Sequence, residues 1–199
     1  MPRISVYDFY DGVLAEHGDT AKGLHYNSES SQQIRFRVLR ELLPERLAGL
    51  TLVDVGCGFG DLLRYFQEAD DPPGRYIGMD LHERMVEVAR ERTGAEILHG
   101  DVLSDELPRA DWYVCSGSLN NFTLEETRSA VERCYAAAGS GLVFNLLRGD
   151  DWSHVFNYRK PEEVQAWGAE LGADVTIVDG YLYKDFTAAL VRPSEAAEG

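Results

Sequence analysis

The sequence has few cysteines and no long hydrophobic run, which argues against a disulfide-rich secreted protein and against a membrane protein. Three cysteines among 199 residues are too few and too widely spaced for a disulfide framework or a zinc site. This usage predicts a reducing compartment, the cytoplasm. No continuous apolar stretch reaches the length of a signal peptide or a transmembrane helix, so we expect no membrane attachment.

Basic residues are scarce as well. The chain has 19 Lys and Arg against 34 Asp and Glu, a formal net charge of −15. This charge opposes contact with a polyphosphate backbone, so we expect no nucleic-acid partner. The hydrophobic content of 44% is ordinary for a globular α/β protein that buries a full core. We expect no metal site, because the acidic pair Asp150 and Asp151 is typical of a solvated loop.

A glycine-rich turn between a buried strand and a helix is the most informative segment. Residues 52–55 predict the strand, and the apolar spacing of residues 61–67 predicts the helix. Three glycines alternate in the turn: Gly56, Gly58 and Gly60. Glycines at these positions remove the Cβ atoms that would block close approach of the backbone to a cofactor. A structural tight turn is the alternative interpretation.

The spacing separates two classes of cofactor. A dinucleotide fingerprint would place its third glycine one residue later, where this chain has Asp61. A carboxylate there repels a pyrophosphate and suits a ligand with an ammonium and a sulfonium group, and Asp54 favours the same ligand. The pattern Asp-x-Gly-x-Gly-x-Gly resembles motif I of the class I S-adenosylmethionine-dependent methyltransferases. The resemblance implies S-adenosylmethionine as the cofactor.

Two later strand ends supply further acids. Residues 76–80 predict a second strand that ends in Asp80, about twenty residues after Gly60. An acid at this sequence separation from the glycine turn is where a ribose diol needs an acceptor. The alternative is that Asp80 only caps a helix over 82–92. Residues 96–102 predict a third strand. In the resembling family the acid after this strand faces the adenine amino group, which implies that role for Asp101; holding a turn is the alternative.

The resemblance covers residues 52–147 well and implies a set of cofactor-binding positions. They are Asp54, Gly56, Cys57, Gly58, Gly60, Asp80, Leu81, Asp101, Val102, Ser116 and Gly117. We interpret Cys57 as a spacer in the turn without thiol chemistry.

About fifty residues precede the first strand and are expected to cover the site. Their pattern predicts helices over 5–14 and 28–43. The segment 31–36 resembles Ser-Gln-x-x-Arg-Phe of a group of small bacterial methyltransferases. Gln32 and Arg35 share a helix face there, and Arg35 suits the carboxylate of the cofactor. A solvated helix face is the alternative.

The fold class that we predict is α/β, a Rossmann-like three-layer sandwich with a seven-stranded, mostly parallel sheet and an antiparallel last strand. The remaining predicted elements are strands over 111–117, 141–147, 175–178 and 186–191, and helices over 123–138 and 161–171. We predict a single domain over 1–192, with a helical cap (1–48) and a Rossmann-like core (49–192), followed by a flexible tail (193–199).

The acceptor pocket is expected where loops follow the parallel strands. These are loops 116–122 and 148–160, together with the N-terminal segment. The candidate substrate-binding residues are Tyr10, Tyr26, Asn120, Asn121 and Trp152. The candidate general bases are His17, His25 and His154, each of which has the alternative of an ordinary surface histidine. For the aromatic residues of the loops the alternative is surface packing.

The resemblance implies transfer of a methyl group to an oxygen or nitrogen atom of a small molecule by in-line displacement. Two alternatives stay open. The chain could use the same cofactor for another transfer or a cyclisation, or it could bind the cofactor without catalysis. No heptad repeat or long apolar edge indicates an oligomeric state.

Overall fold

The computed structural model describes residues 5–26, 28–149 and 156–193. The α-helices of this part are α1 Val6–His17, α2 Glu29–Glu41, α3 Asp61–Glu68, α4 Glu83–Thr93, α5 Leu124–Ala137 and α6 Pro161–Glu170. The strands are β1 Thr51–Val55, β2 Arg75–Asp80, β3 Glu96–His99, β4 Ala110–Cys115, β5 Ala138–Leu147, β6 Asp174–Asp179 and β7 Asp185–Val191. None of the described helices is long and apolar enough to cross a membrane.

The strands form one seven-stranded sheet in the order β3-β2-β1-β4-β5-β7-β6. β7 pairs antiparallel with both β5 and β6, and all other pairs are parallel. This confirms the predicted fold class. The third strand is shorter than predicted, because it ends at His99 and the chain then turns at Gly100 and Asp101.

Helices cover both faces of the sheet. Leu39 of α2, Leu62 of α3 and Val86 of α4 belong to one apolar cluster, which lies against one face of the sheet. Val131 of α5 and Val164 of α6 belong to the cluster on the other face. The alternation of side chains along each strand supplies both faces, as expected for a sheet buried between two helical layers.

Local signals fix where the helices begin. Ser28 caps α2, where its hydroxyl accepts from the N–H of Ser31 at 3.1 Å, and Thr123 caps α5 in the same way. Asp80 is not the cap residue of α4, which is His82. The interpretation of Asp80 as the cap residue of this helix is therefore wrong.

The N-terminal segment lies over the carboxyl ends of β1 and β2. Leu14 of α1 packs with Phe59 and Met85, and Asp11 pairs with His82 at 3.0 Å. The first predicted helix extends to residue 17, where Gly18 ends it. The division into a cap and a core stays a prediction, and residues 194–199 of the predicted tail lie outside the described part of the chain.

Candidate functional site

A cavity of about 370 Å³ lies at the carboxyl ends of the central strands. Residues at or just after the ends of β1, β2 and β3 form one side, and residues at or just after the ends of β4 and β5 form the other. The N-terminal segment covers it with Phe9, Tyr10, Leu24, His25 and Tyr26. This is the position at which an open α/β sheet binds its ligand.

The glycine turn supplies bare backbone to this cavity. Gly58 lines it with a φ of +54°, a left-handed conformation that side chains rarely adopt, and a Cβ here would lie 3.0 Å from Leu24 of the cap. Gly56 also lines the cavity, but a Cβ on Gly56 would point at the side chain of Ser118 and not into the cavity. Gly60 packs against Thr93 and is not among the lining residues. The structure therefore brings two of the three glycines to the cavity.

Asp80 is buried at the end of β2 and lines the cavity. Its Oδ2 accepts the N–H of Gly58 at 2.9 Å, and its Oδ1 accepts the N–H of His82 at 2.9 Å. Burial raises the pKa of the Asp80 carboxyl, although these backbone N–H groups oppose the shift. Each oxygen keeps a further lone pair for a ligand hydroxyl.

Asp54, at 2% exposure, lies deeper beneath the turn. Its Oδ2 accepts the Tyr76 hydroxyl at 2.6 Å, while its Oδ1 has no partner among the described residues. Burial raises the pKa of Asp54 to about 7, against the lowering effect of the Tyr76 hydrogen bond and with a further rise from Asp80 and Asp61. An orphaned buried carboxylate oxygen is costly unless a ligand cation or donor satisfies it.

Asp101 lies in the turn after β3, and its role toward the adenine amino group stays a prediction. It lines the cavity beside Val102, and its Oδ1 accepts the N–H of Leu103 at 2.9 Å, which holds the turn after β3. Leu81 also lines the cavity.

Gln32 and Arg35 both line the cavity, so the solvated-face interpretation of α2 is wrong. Gln32 is buried and donates to Asp61 Oδ2 at 3.1 Å. Arg35 forms a two-pronged ion pair with Asp185 of β7, with Nε to Oδ2 at 2.8 Å and Nη2 to Oδ1 at 3.0 Å. Its guanidinium also lies over the Tyr26 ring. The predicted partner of Arg35 was a ligand carboxylate, and in this structure Asp185 takes two of its nitrogens.

The second half of the cavity is amide and aromatic in character. Asn120 and Asn121 are buried and line it, as do Ser116, Gly117, Tyr10 and Tyr26. Phe9, Tyr10, His25 and Phe156 contact one another over it, with ring centroids 4.1–6.3 Å apart. Burial, Asp80 and Tyr26 raise the pKa of the Tyr10 hydroxyl, which therefore stays protonated. This half can surround an apolar molecule and offer it hydrogen bonds.

The three candidate histidines have different positions. His25 lines the cavity, and its Nε2 lies 2.8 Å from the carbonyl oxygen of Phe9. His17 ends α1 beside Glu16 and is not among the lining residues. His154 and Trp152 lie outside the described part of the chain.

Sequence reasoning missed several lining or supporting residues: Leu24, Tyr76, Met79, Tyr158, Lys184 and Asp185. Met79 and Tyr76 lie in the strand that ends in Asp80, which the sequence predicted, so their position near the cavity could have been inferred from the strand. Asp185 had none, because its partner Arg35 lies 150 residues earlier.

The residues present fit S-adenosylmethionine. Four carboxylates, Asp54, Asp61, Asp80 and Asp101, line the side next to the glycine turn and suit a ligand with two cationic groups. The orphaned oxygen of Asp54 leaves an acceptor for such a ligand. Among the residues that the structure describes, no group of three or more His, Cys, Asp or Glu is arranged to hold a metal ion.

The strand order and the antiparallel seventh strand are those of the class I methyltransferase fold, and the acids around the glycine turn lie where that fold binds its cofactor. A methyltransferase domain family model matches residues 52–141. The chain is 35% identical over 81 residues to demethylmenaquinone methyltransferase of Staphylococcus aureus, a match that covers 39% of this chain and 32% of that protein. The chain thus spans about a third of the length of the curated relatives that it matches.

Solved structures share the fold. Magnesium protoporphyrin IX methyltransferase of Synechocystis PCC 6803, with bound S-adenosylhomocysteine, superposes with a TM-score of 0.70 at 17% identity and covers 94% of this chain and 96% of that one. An amino pentose methyltransferase of Micromonospora echinaspora, with bound S-adenosylmethionine, gives 0.66 at 18% identity, covering 97% and 99%. Residues 52–141 thus match the methyltransferase domain, and the solved structures share the fold of the described chain.

Proposed function

We propose that this protein binds S-adenosylmethionine and transfers its methyl group to an oxygen or nitrogen atom of a small molecule. One observation carries the proposal: a single cavity joins an acidic side beside the glycine turn to an amide and aromatic side under the cap. A donor and an acceptor held in these two halves would face each other without intervening solvent, which is the main requirement for methyl transfer.

The first half would hold the cofactor. Asp80 would accept the ribose hydroxyls and Asp101 the adenine amino group, while Asp54 and Asp61 would attract the cationic arm. When bound, S-adenosylmethionine supplies a methyl group activated by its sulfonium. Gly58 and Leu24 of the cap would then exclude water from above the turn.

The second half would orient the acceptor. Asn120, Asn121 and Tyr10 would position it by hydrogen bonds, and the aromatic side chains of the cap would enclose it. His25 would hold a proton at one ring nitrogen: with Nε2–H donating to the Phe9 carbonyl, Nδ1 keeps the lone pair that can accept the proton of an acceptor hydroxyl or ammonium.

By their names the relatives act on different acceptors: demethylmenaquinone, magnesium protoporphyrin IX and an amino pentose. They support a small molecule and leave its identity to experiment. The charge of −15 disfavours a nucleic acid. The three free, buried cysteines suit a reducing cytoplasm, which we propose as the location. We also propose residues 49–192 as the core that the N-terminal segment covers.

The test is calorimetric titration with S-adenosylmethionine, S-adenosylhomocysteine and NAD, followed by turnover with a panel of hydroxylated and amino small molecules. Micromolar binding of the sulfur ligands and no binding of NAD is the expected result. Release of S-adenosylhomocysteine with a methylated product supports methyl transfer. Release of methylthioadenosine would assign another reaction, and tight binding without turnover across the panel would assign a binding module.

A further inference from the structure

Arg159 lies behind the amide and aromatic half of the cavity, which we call the acceptor half, and only 7% of its surface is exposed. Its guanidinium joins two loops. Nη2 donates to the carbonyl oxygen of Phe122 at 3.1 Å and to Thr127 Oγ1 at 3.2 Å, and Nη1 donates to the carbonyl oxygen of Tyr158 at 2.7 Å. Phe122 and Tyr158 line the cavity. A buried positive charge is therefore bonded directly to the wall of the acceptor half.

The hydrogen-bond partners of this guanidinium are all uncharged. Among the described residues no carboxylate lies within ion-pair distance of Arg159. Burial lowers the pKa of Arg159, and the charge of Glu163 on α6 opposes that shift. Glu163 itself uses its Oε2 to accept the N–H of Lys160 at 2.7 Å. An arginine stays charged at neutral pH, so the structure holds a buried cation whose cost an anion nearby would reduce.

The charges that line the cavity are divided between its two halves. Among the lining residues that the structure describes, every carboxylate belongs to the half beside the glycine turn: Asp54, Asp61, Asp80 and Asp101. Arg35 lines the acceptor half, but its ion pair with Asp185 at 2.8 Å balances its charge. Lys184 also lines this half, with Nζ 5.8 Å from the ring centre of Tyr158. No lining carboxylate of the described chain thus opposes the charge of Arg159 in the acceptor half.

Three buried polar atoms without a hydrogen-bond partner lie where these two loops meet. They are Asn121 Oδ1, Asn157 Nδ2 and Arg159 Nε. The N–H of Asn157 donates to the carbonyl oxygen of Asn120 at 2.6 Å, which joins the loops a second time. Asn121 lines the cavity with 7% of its surface exposed. Because unsatisfied buried polar groups are rare and costly, this wall favours a polar ligand over an apolar one.

A buried cation distinguishes between the possible methyl acceptors. An aliphatic amine reaches the site as an ammonium, which the charge of Arg159 repels, whereas an acidic hydroxyl ionises to an oxyanion, which the same charge attracts. Burial strengthens this interaction, because little water screens it. The aromatic rings of Phe9, Tyr10 and Phe156 suit a flat, aromatic body for the molecule that carries the hydroxyl.

We propose that the acceptor is an acidic aromatic hydroxyl compound, a phenol, that it reacts as its oxyanion, and that Arg159 selects it. The inference rests on the proposed function and narrows it to methylation of oxygen. The phenol proton leaves to His25 Nδ1 or to solvent, and an oxygen lone pair then attacks the methyl carbon. The carbon–sulfur bond breaks with its electron pair on sulfur, which gives a neutral ether and S-adenosylhomocysteine. Arg159 is a positioning residue, since it acts through the two loops and through its charge.

Two probes of nearly equal shape test the charge of the acceptor. 4-Nitrophenol ionises near neutral pH to a phenolate that absorbs visible light, and 4-nitroaniline stays neutral. Both are titrated into the wild-type protein saturated with S-adenosylhomocysteine, from about pH 6 to about pH 9. Calorimetry gives the two affinities, and absorbance gives the ionisation of the bound phenol. The ratio of the affinities cancels any titration of the protein that affects both probes.

For the wild type, the affinity for 4-nitrophenol relative to that for 4-nitroaniline should rise about tenfold over this range. A tenfold preference for the anion corresponds to a pKa about one unit lower for the bound than for the free phenol. A ratio that stays constant or falls as the pH rises would overturn the proposal. Failure of both probes to bind the complex with S-adenosylhomocysteine would also overturn it.

Variants at residue 159 separate the charge from the joining of the loops. Arg159→Met removes the charge and should abolish most of the preference for the phenolate. Arg159→Lys keeps the charge without the guanidinium fork and should retain it. The control is Arg37→Met, at a side chain of α2 that is 60% exposed, which should leave the ratio unchanged. If Arg159→Met does not fold, the comparison of Arg159→Lys with the wild type and the wild-type pH profile still decide the result.

An unchanged ratio in a folded Arg159→Met protein, or loss of the preference in Arg159→Lys, would refute the selective role of the charge. A wild-type protein that binds neither S-adenosylmethionine nor S-adenosylhomocysteine would instead refute the proposed function. The same two probes titrated into the unliganded protein would then test the preference of the acceptor half for a phenolate alone.

Discussion

Asp80 joins the glycine turn to the start of α4, because its two oxygens accept the N–H groups of Gly58 and His82. We expect Asp80→Ala to weaken S-adenosylmethionine binding by about 1–3 kcal/mol, since the ribose hydroxyls lose their acceptor. The two N–H groups lose theirs too, so the free energy of unfolding should also fall by about 1–3 kcal/mol. Titration calorimetry and urea unfolding measure the two effects.

The control for this variant is Glu106→Ala, which removes an exposed carboxylate and the same charge. It should leave the affinity and the urea midpoint near the wild-type values. An Asp80→Ala protein that binds as tightly as the control would refute the ribose role of Asp80.

We expect Asp54 to make cofactor binding depend on pH. Burial raises its pKa to about 7 in the folded protein, so the carboxyl is neutral below pH 7 and anionic above it. A cationic ligand favours the anion, so affinity should be full above pH 7 and fall by up to about tenfold per pH unit below it, with uptake of ligand releasing a proton. Titration calorimetry from pH 5.5 to 7.5 in buffers of different ionisation enthalpy would detect both effects.

Two variants check that Asp54 is the group that titrates. Asp54→Asn should bind more weakly and lose the pH dependence, apart from the titration of the ligand itself. Tyr76→Phe removes the hydrogen bond that lowers the pKa of Asp54, so the midpoint should move to higher pH. A wild-type profile that matches Asp54→Asn would contradict the prediction.

At the scale of elements, the glycine turn works by bringing backbone to the cavity under the cap. Gly58→Ala would strain a left-handed residue and place a methyl group 3.0 Å from Leu24, against the cap. We expect a loss of about 1 kcal/mol in stability from the backbone and a loss of about tenfold or more in affinity. Thermal unfolding and calorimetric titration measure the two quantities.

Gly94→Ala is a matched control for this turn. Gly94 ends α4 with a φ of +64°, and a Cβ there would meet nothing within 4 Å. It should lose similar stability and keep its affinity. Equal affinity of the two variants would mean that ligand binding does not depend on the close packing of Leu24 against Gly58.

The elements that were predictable from the sequence are those with local signals. The glycine turn, the apolar strand β1 and the acid that ends β2 each depend on neighbouring residues, and all three have the predicted order along the chain. The pairing of Arg35 with Asp185 was not predictable, because it depends on β7 lying next to β5 under α2. The orientation of the Asn120 side-chain amide likewise depends on the N–H of Leu147, 27 residues away, which no local sequence pattern specifies.

At the scale of the whole molecule, the net charge of −15 should affect which sulfur ligand is preferred. S-Adenosylmethionine carries one more positive charge than S-adenosylhomocysteine, so the field of the protein favours it at low ionic strength. We expect the ratio of the affinity for S-adenosylmethionine to that for S-adenosylhomocysteine to fall about threefold between 20 mM and 500 mM sodium chloride, because salt screens this field. Parallel calorimetric titrations measure the ratio, and a ratio independent of salt would exclude a long-range contribution.

The position of β7 has a consequence for synthesis on the ribosome. β7 is the seventh strand of the described residues, yet it lies between β5 and β6, and its first residue, Asp185, holds Arg35 of the second helix. A nascent chain that has not yet released residue 185 can neither complete this edge of the sheet nor fix that arginine. The residues of α1 and α2 that cover the cavity are therefore made well before the strand that completes their site.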